Sequence, residues 1–497
     1  MNLDFDVIII GAGMSGITAG IRSAMSGKRV LLLEQQQEVG GLNTYYKRAE
    51  RIIDVGLHAF TNYLPPHKGK GALNKILRQL RIRFEDLKLG EHPSSLISFA
   101  EGGMVFGNGP DVQTFCESVR KLFPEDEQRF LSLVRTIENY NVNFIDAKQT
   151  QNEKSARQEL QKILEGANPL LLEMLLFPCL VYGSSWENDL EFSQFAIMFR
   201  ALFLEGFARP EGGVKRLIDL LKARFLEEGG NLKLKCKVLS LTEGKAGEWR
   251  VFSTLGVFSA KQVISCAGSL ESYKLIEERA LPLAQERGKL TFTEAIFVLP
   301  RSALVLQNKG LPKHSVVFYN ERPGHYRYAA PLECTAIDTS SALICFPDNY
   351  LDAQKQTIPS EELVIRVSLL ANFDYWEKLR KVRADYLRAK EYVLEESIKL
   401  VLRYLKREGV ELSYLEIKDK IIFHDVFTPW TIRRYGGREG AAVYGHERKS
   451  RDGKTPYSQL YLCGSDQGFV GVVGAMLSGI AIANQYVIKD HQSETSI

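Results

Sequence analysis

The chain of 497 residues is longer than one ordinary domain, so two or three hydrophobic cores are expected. Its composition, 45% hydrophobic and 25% charged, is typical of a soluble globular protein. With 64 basic and 60 acidic residues the net charge is only +4, and no basic patch is interleaved with aromatic residues. Nucleic acid is therefore not expected as a partner.

Cysteine usage and the start of the chain indicate the compartment. Seven cysteines are scattered without a C-x-x-C pair, which predicts reduced thiols and neither a disulfide framework nor a metal site. A strand-like run begins at residue 6 and leaves no room for a signal peptide. We therefore expect a cytoplasmic protein.

The first motif is DVIIIGAGMSGITAG at residues 6–20, where an apolar run meets a glycine-rich loop. The β-branched run Val7–Ile10 favours a strand buried on both faces of a parallel sheet. The next glycines have the G-x-G-x-x-G spacing, which allows a tight turn, a close approach to a pyrophosphate and close helix packing. These glycines are Gly11, Gly13 and Gly16.

A helix and a second strand complete this unit. Met14 and Ser15 open the helix, whose free N–H groups are expected to face phosphates. A second buried strand at residues 29–33 ends in Glu34, the acid expected to accept ribose hydroxyls and to disfavour a 2′-phosphate. Strand, glycines, helix, strand and acid occur in order within 34 residues, which predicts a dinucleotide site.

The most apolar later stretch, NPLLLEMLLFPCLVYG at residues 168–183, predicts a helix. Glu173 and Pro178 interrupt it, and it is shorter than the ~20 apolar residues that a membrane-spanning helix needs. It is expected to form a core helix, and the alternatives are that it lines an apolar pocket or dips into a membrane interface.

Residues 212–269 again have the character of a nucleotide-binding domain. An amphipathic helix is followed by a Gly-Gly stop and then by alternating strands. Further on, residues 378–409 show leucines and valines at helical spacing among basic residues, which predicts an exposed helix with one buried stripe. Its basic face also suits transient contact with an acidic membrane surface.

The third segment of this character is SQLYLCGSDQGFVGVVGAMLSGIAIANQYVI at residues 458–488. A short strand ends before Gly464 and Asp466, and a long apolar helix begins near Gly471. If both ends of the chain contact one dinucleotide, FAD is favoured, because its flavin half must be held as well as its adenine half.

The predicted fold class is therefore α/β, a discontinuous Rossmann-type FAD/NAD(P)-binding domain with an inserted mixed α+β substrate domain. We assign residues 1–75, 206–275 and 416–497 to the FAD-binding domain. Residues 76–205 and 276–415 form the predicted substrate-binding domain.

Several segments resemble a known family. EVGGLNTYYKRAERIIDVGLHAF at residues 38–60 looks like the second flavin-contact segment of the flavin amine oxidase superfamily, and its Leu57-His58 pair is similar to retinol saturases. TPWTIRRYGGREGAAVYG at 428–445 and LYLCGSDQGFVGVVGAMLSG at 460–479 resemble the carotenoid isomerases and retinol saturases. The resemblance, to the phytoene desaturase-like group of that superfamily, covers both ends of the chain and residues 212–270.

This resemblance implies a noncovalent FAD and an extended isoprenoid or polyene lipid lying in an apolar tunnel against the flavin. The sequence departs from the family pattern at two positions. Leu42 stands where amine oxidases often carry arginine, and Asp466 stands one residue further from its glycine than in many relatives. The predicted cofactor contacts are Gly11, Gly13, Met14, Ser15, Gly16, Glu34, Gly40, Gly41, Leu42, Asp54, Gly56, Val238, Gly464, Asp466, Gly471, Val472 and Gly474.

The chemistry implied is that of an FAD-dependent desaturase, saturase or redox-neutral isomerase, in which the flavin carries the redox step. His58 is the candidate catalytic residue, although a packed structural histidine is an equal alternative. The candidates for the floor of the site are Trp430, Arg433, Arg434 and Tyr435, and the alternative for Arg433 and Arg434 is a solvated pair. The alternatives are an amine or protoporphyrinogen oxidase, and a flavin-binding protein without turnover.

Overall fold

The computed structural model describes residues 3–56, 59–65, 71–107, 112–140, 154–276, 287–305, 312–324, 336–352 and 360–488. Over these residues the chain forms two large sheets of seven strands each and two small sheets of two strands. The strands in chain order are β1 (Phe5–Ile10), β2 (Val30–Leu33), β3 (Tyr45–Arg48), β4 (Arg51–Asp54), β5 (Leu89–Glu91), β6 (Ser95–Phe99), β7 (Gly102–Phe106), β8 (Ala208–Pro210), β9 (Asn231–Lys233), β10 (Val238–Glu243), β11 (Trp249–Ser253), β12 (Gly256–Ser265), β13 (Phe292–Pro300), β14 (Val316–Asn320), β15 (Ser341–Cys345), β16 (Glu362–Leu370), β17 (Phe423–Phe427) and β18 (Leu460–Leu462).

Helices cover both large sheets. A π-helical segment, Arg200–Glu205, follows α7, and a second, Ala483–Ile488, follows α15. The α-helices in chain order are α1 (Met14–Ala24), α2 (Ala72–Gln79), α3 (Gln113–Leu122), α4 (Glu127–Asn139), α5 (Ala156–Ile163), α6 (Pro169–Gly183), α7 (Phe192–Phe199), α8 (Val214–Glu227), α9 (Ser269–Lys274), α10 (Ser302–Val305), α11 (Phe373–Leu379), α12 (Arg383–Arg407), α13 (Tyr414–Lys418), α14 (Pro429–Gly436) and α15 (Gly471–Ile482).

The first sheet has a parallel centre. Its order is β10-β11-β12-β1-β2-β9, and β18 pairs with β12 beside β11. Val7, Ile8 and Ile9 of β1 are fully buried, as expected for a strand covered on both faces. In the register, Ile10 lies opposite Ser265 and Ser265 lies opposite Leu462, so β1, β12 and β18 end side by side. Ligands bind at such carboxyl ends of parallel strands.

The second sheet is mostly antiparallel, with the order β17-β13-β16-β15-β14-β6-β7. One face packs against α12, whose buried residues, among them Val393, Leu400 and Val401, form one stripe. The predicted exposed helix with a single buried stripe is thereby confirmed. On the other face, the β3–β4 hairpin covers one part through Ile53, and another part packs on α6 and α7 through residues that include Phe318.

The strand pairing corrects one predicted boundary. Strand β17 lies in the predicted FAD-binding segment 416–497, yet it pairs with β13 of the second sheet. The placement of residues 416–427 is therefore wrong, because the chain completes the second sheet before it returns to the first at β18. The remaining division into domains stays a prediction.

Two apolar helices have distinct environments. Helix α6, the predicted core or pocket helix, is mostly buried, and its last turn reaches a cavity through Val181 and Tyr182. The segment Gly471–Ile488 is the one described helix long and apolar enough to cross a membrane, a property that the sequence analysis did not predict. More than half of it is buried, and it packs on α1, where the Thr18 hydroxyl donates to the carbonyl of Met476 at 3.1 Å.

We expect that one methyl group added at Gly479 would push α1 and α15 apart. A Cβ atom at Gly479 would lie 2.1 Å from the Ser15 carbonyl oxygen, so Gly479→Ala should lower the free energy of unfolding by about 1–3 kcal/mol. Urea unfolding measures the change. Gly107→Ala, where nothing lies within 4 Å of the added Cβ, is the matched control. Equal stability of the two variants would contradict the close packing.

Candidate functional site

A cavity of about 1390 Å³ opens at the carboxyl ends of β1, β12 and β18 and continues to the second sheet. A pocket for one small molecule usually measures ~300–1,000 Å³. The volume therefore provides room for a dinucleotide and a second, elongated ligand together.

The glycine loop after β1 forms one wall of this cavity. Gly11 has φ +91°, a conformation that favours glycine. A Cβ at Gly13 would meet nothing within 4 Å, so the space above it is open for a ligand. A Cβ at Gly16 would lie 1.9 Å from the carbonyl oxygen of Gly11, so this glycine permits α1 to pack on the loop. The three glycines have the roles expected of a dinucleotide fingerprint.

Glu34 lines the cavity just beyond β2. Its carboxylate accepts hydrogen bonds from the backbone N–H groups of Ala12 and Gln36, both at 2.8 Å. Burial raises the pKa of this carboxyl group, and the two N–H groups partly offset that effect. Glu34 therefore braces the glycine loop, and its contact with a ribose stays a prediction.

A second glycine segment faces the first. The N–H of Gly40 donates to the carbonyl of Ala12 at 2.8 Å, and a Cβ at Gly41 would approach the Cα of Gly13 to 3.2 Å. Leu42, the departure from the arginine of amine oxidases, packs so closely on Gly436 that an added Cβ there would lie 2.6 Å from its side chain. At this position an apolar contact holds α14 over the cavity.

The C-terminal loop meets the N-terminal loop directly. A Cβ at Gly464, which has φ +103°, would lie 3.1 Å from the hydroxyl of Ser15. Gly471 and Val472, at the start of α15, line the same cavity. The predicted meeting of the two chain ends is therefore confirmed.

Asp466 does not line the cavity, which corrects its predicted direct contact. It is 2% exposed, and its carboxylate accepts from the guanidinium of Arg438 at 3.0 Å and from the N–H groups of Ser269 at 2.5 Å and His446 at 2.8 Å. Burial raises the pKa of Asp466, but Arg438 and Lys449 outweigh it and hold that pKa well below its usual range. The ionised carboxylate of Asp466 thus links these loops through its hydrogen bonds.

Asp54 also has a structural role in place of the predicted contact. Its carboxylate pairs with Arg209 at 2.7 Å and accepts from the N–H of Val214 at 3.1 Å, so it caps α8. Gly16 and Gly474 likewise lie behind the lining, where they serve close packing.

The other predicted contacts line the cavity where they are described. His58 lies outside the described residues, so its role stays a prediction. The lining residues among the predicted set are Gly11, Gly13, Met14, Ser15, Glu34, Gly40, Gly41, Leu42, Gly56, Val238, Gly464, Gly471 and Val472.

An apolar chamber extends the cavity toward the second sheet, and no contiguous sequence motif indicates its residues. They come from distant segments, and only the period-2 alternation of the strands signals which side chains share a face. Two polar side chains of the chamber have partners within the protein. Glu294 pairs with Arg366 at 2.7 Å, and the hydroxyl of Tyr444 donates to the carbonyl of Val181 at 3.1 Å. The chamber residues are Ala59, Val181, Tyr182, Phe292, Glu294, Leu343, Ser368, Val443, Tyr444, Phe469 and Val470.

The segment predicted as a floor or a solvated surface contributes to both. Trp430, Arg434 and Tyr435 line the cavity. Arg433 does not, and its guanidinium pairs with the carboxylate of Glu377 at 2.7 Å.

The chain is similar to known proteins over most of its length. Residues 9–80 match the family model of an NAD(P)-binding Rossmann-like domain. The all-trans-retinol 13,14-reductase of Danio rerio is 22% identical over 97% of this chain and 86% of its own length. The prolycopene isomerase of Daucus carota is 21% identical over 97% of this chain and 80% of its own length.

Solved structures share the whole fold. An oxidoreductase of Methanosarcina mazei superposes with a TM-score of 0.62 at 15% identity, covering 97% of this chain and all of its own. Cyclohexylamine oxidase of Brevibacterium oxydans gives a TM-score of 0.59 at 13% identity, covering 99% of this chain and all of its own. These likenesses establish the fold.

The protein is therefore an enzyme of the oxidoreductase or isomerase type that contains a Rossmann-type domain, and it shares its overall fold with these solved oxidoreductases. Within that class, the predicted resemblance to the retinol saturase and carotenoid isomerase group is confirmed over nearly the full chain.

The open space at Gly13 generates a direct test of flavin binding. Gly13→Val places a branched side chain where the structure leaves room for a pyrophosphate, so the purified variant should stay folded and lose its flavin absorbance. Circular dichroism and the ratio of flavin to protein absorbance measure both properties. Gly107→Val, at an equally open glycine away from the cavity, should keep the wild-type flavin content. A folded Gly13→Val protein with a full complement of flavin would contradict the role of the loop.

Lys449 makes the stability of this region depend on pH. Burial lowers the pKa of its ammonium group to about 8, although Asp466 opposes the shift, and its Nζ donates to the carbonyl of Tyr444 at 2.5 Å. Above pH 8 the unfolded chain, whose lysine pKa stays near 10.5, binds more protons than the folded chain. The contribution of Lys449 to stability should therefore rise with pH between about 8 and 10.5.

Urea unfolding of wild type and Lys449→Met across this range isolates that contribution. The stability of wild type relative to Lys449→Met should increase as the pH rises. Lys399→Met, at an exposed lysine on α12, is the control and should follow the wild-type profile. Parallel pH profiles for wild type and Lys449→Met would contradict the shifted pKa.

Proposed function

We propose that the protein is an FAD-dependent desaturase, saturase or redox-neutral isomerase that acts on a carotenoid-like or other isoprenoid polyene lipid. The observation that carries the proposal is one continuous cavity, in which the glycine loops open into an apolar chamber. A nucleotide site alone would not require such a chamber.

The wall of the cavity suits FAD. Gly13, Gly40 and Gly41 form a cradle of backbone whose open space a Cβ would fill at Gly13, as a pyrophosphate requires. Glu34 marks one end, and Gly464 with Gly471 lines the part nearer the chamber. When bound, FAD supplies an acceptor or donor of a hydride or an electron at its N5 atom.

The chamber suits a hydrocarbon chain. Aromatic and aliphatic side chains surround it, among them Phe292, Leu343 and Phe469. Glu294, the one carboxylate among the described residues that line the chamber, is already neutralised by Arg366 at 2.7 Å. These residues exclude water and hold an extended chain in one orientation, which is the task that flavin chemistry leaves to the protein.

An amine substrate fits the charges of the cavity less well. Arg380, Lys390 and Arg434 line it, and they repel a protonated amine. We also propose a cytoplasmic protein, in agreement with the six free thiols among the described cysteines.

Anaerobic incubation of the purified protein tests the proposal. Solubilised polyenes should bleach the oxidised flavin, reoxidise the reduced flavin or change in double-bond geometry, as absorbance and chromatography of the extracted lipid report. Putrescine, cyclohexylamine and protoporphyrinogen should leave the flavin spectrum unchanged. Gly13→Val protein, which lacks the cradle, is the matched control and should convert nothing.

The other outcomes contradict the proposal in different ways. Bleaching by an amine or by protoporphyrinogen alone would assign the protein to the oxidases of the same fold. Bound flavin with no conversion of any of these compounds would favour a flavin-binding protein without turnover.

A further inference from the structure

Four cationic side chains from segments around β17 line the cavity. Arg48 comes from β3, Arg380 follows α11, Lys390 lies on α12 and Arg434 on α14. We call these four residues the basic mouth. Among the described carboxylates that line the cavity, Asp425 of β17 is the one that lies within 4 Å of these side chains.

Asp425 offsets only part of this charge. Its carboxylate pairs with Arg48 at 2.7 Å, accepts from the hydroxyl of Tyr46 at 2.9 Å and lies 3.8 Å from Lys390. Burial raises the pKa of Asp425, but Arg48 and Tyr46 outweigh it and hold that pKa below its usual range. Asp425 is therefore ionised, and one negative charge stands against four positive charges.

The other acids that line the cavity are engaged elsewhere. Glu271 lies 3.6 Å from Arg438, and Glu294 pairs with Arg366. Glu34 binds backbone N–H groups at the nucleotide end, where Glu38 also lies, 3.3 Å from Lys222. Within the described lining, the surplus positive charge of the basic mouth therefore persists.

The basic mouth is held in place before any ligand arrives. The guanidinium of Arg380 stacks 3.5 Å above the centre of the Trp430 ring, a contact that leaves the N–H groups at its edge available. Burial lowers the pKa of Lys390, so its charged form gains from an anion that approaches it. Both features favour an anionic ligand at the basic mouth in addition to Asp425.

The basic mouth also adjoins the apolar chamber. Phe427 and Asp425 stand two residues apart on β17, a distance of roughly 7 Å along a strand. Phe427 lies opposite Glu294 of β13, which is a chamber residue. A chain lying in the chamber thus ends about two strand residues, roughly 7 Å, from Asp425 and the cations beside it.

We propose that the substrate is an isoprenoid or polyene that carries a terminal acidic group, a carboxylate or a phosphate, held by the basic mouth while the chain lies in the chamber. Guanidinium groups match the planar oxygens of both anions. This inference rests on the proposed function and names its substrate class.

Binding to the purified holoprotein tests it with ligands matched except for the end group. Retinoic acid is compared with retinol, and geranylgeranyl phosphate with geranylgeraniol, so the two arms separate a carboxylate from a phosphate. Equilibrium titration followed through the flavin spectrum gives each Kd. We expect at least one acidic ligand to bind about tenfold more tightly than its alcohol.

The variants R380Q and K390Q, singly and together, remove the positive charges and leave a neutral polar side chain at each position. The double variant should lose the preference for the acid and keep the affinity for the alcohol. R388Q/K399Q, which removes two cations of α12 that lie outside the cavity lining, should keep the wild-type preference.

Equal affinity for acid and alcohol in the wild type, or an unchanged preference in R380Q/K390Q, would overturn the proposal while leaving the proposed function intact. Sedimentation with phosphatidylserine vesicles provides a further arm. Loss of vesicle binding in R380Q/K390Q without loss of ligand preference would overturn it in favour of a membrane surface. Failure of all four ligands to bind a flavin-loaded protein would instead reject the proposed substrate class itself.

Discussion

The close approach of two glycine loops, one from each end of the chain, is the constraint on which the site depends. Strands β1, β12 and β18 run parallel in a register that ends them side by side, and this brings Gly464 against Ser15. A Cβ at Gly464 would lie 3.1 Å from the Ser15 hydroxyl, closer than an ordinary contact. Because both loops are backbone without bulky side chains, the wall between them can accept a pyrophosphate.

Buried carboxylates hold these loops. Glu34 accepts hydrogen bonds from the N–H groups of Ala12 and Gln36, and Asp54 caps α8. Asp466 accepts hydrogen bonds from Arg438 and from two loop N–H groups. Each acid that the motifs assign to a ligand thus has a bond to its own chain. An ionised carboxylate is tolerated in a buried place when such partners satisfy it. Bonds within the chain itself therefore hold the nucleotide wall.

Contiguous patterns are the part of this fold that the sequence predicts. The unit from Val7 to Glu34 follows from the order of its elements, and the strand before Gly464 follows from its glycines. The chamber depends on strand register, which brings Phe292, Leu343 and Ser368 to one face from segments far apart in the chain. Tertiary contacts that no local pattern encodes also determine two further features. Strand β17 pairs with β13, and Asp466 binds Arg438 and not a ligand.

The identity of the ligand between the two loops tests the central claim most directly. The purified protein is denatured without reductant or protease, and the released small molecules are identified and quantified by mass spectrometry. The account predicts FAD, released intact and in a ratio of about one per chain. Release of a nicotinamide dinucleotide alone, or of no flavin from protein whose fold is verified by circular dichroism, would contradict it.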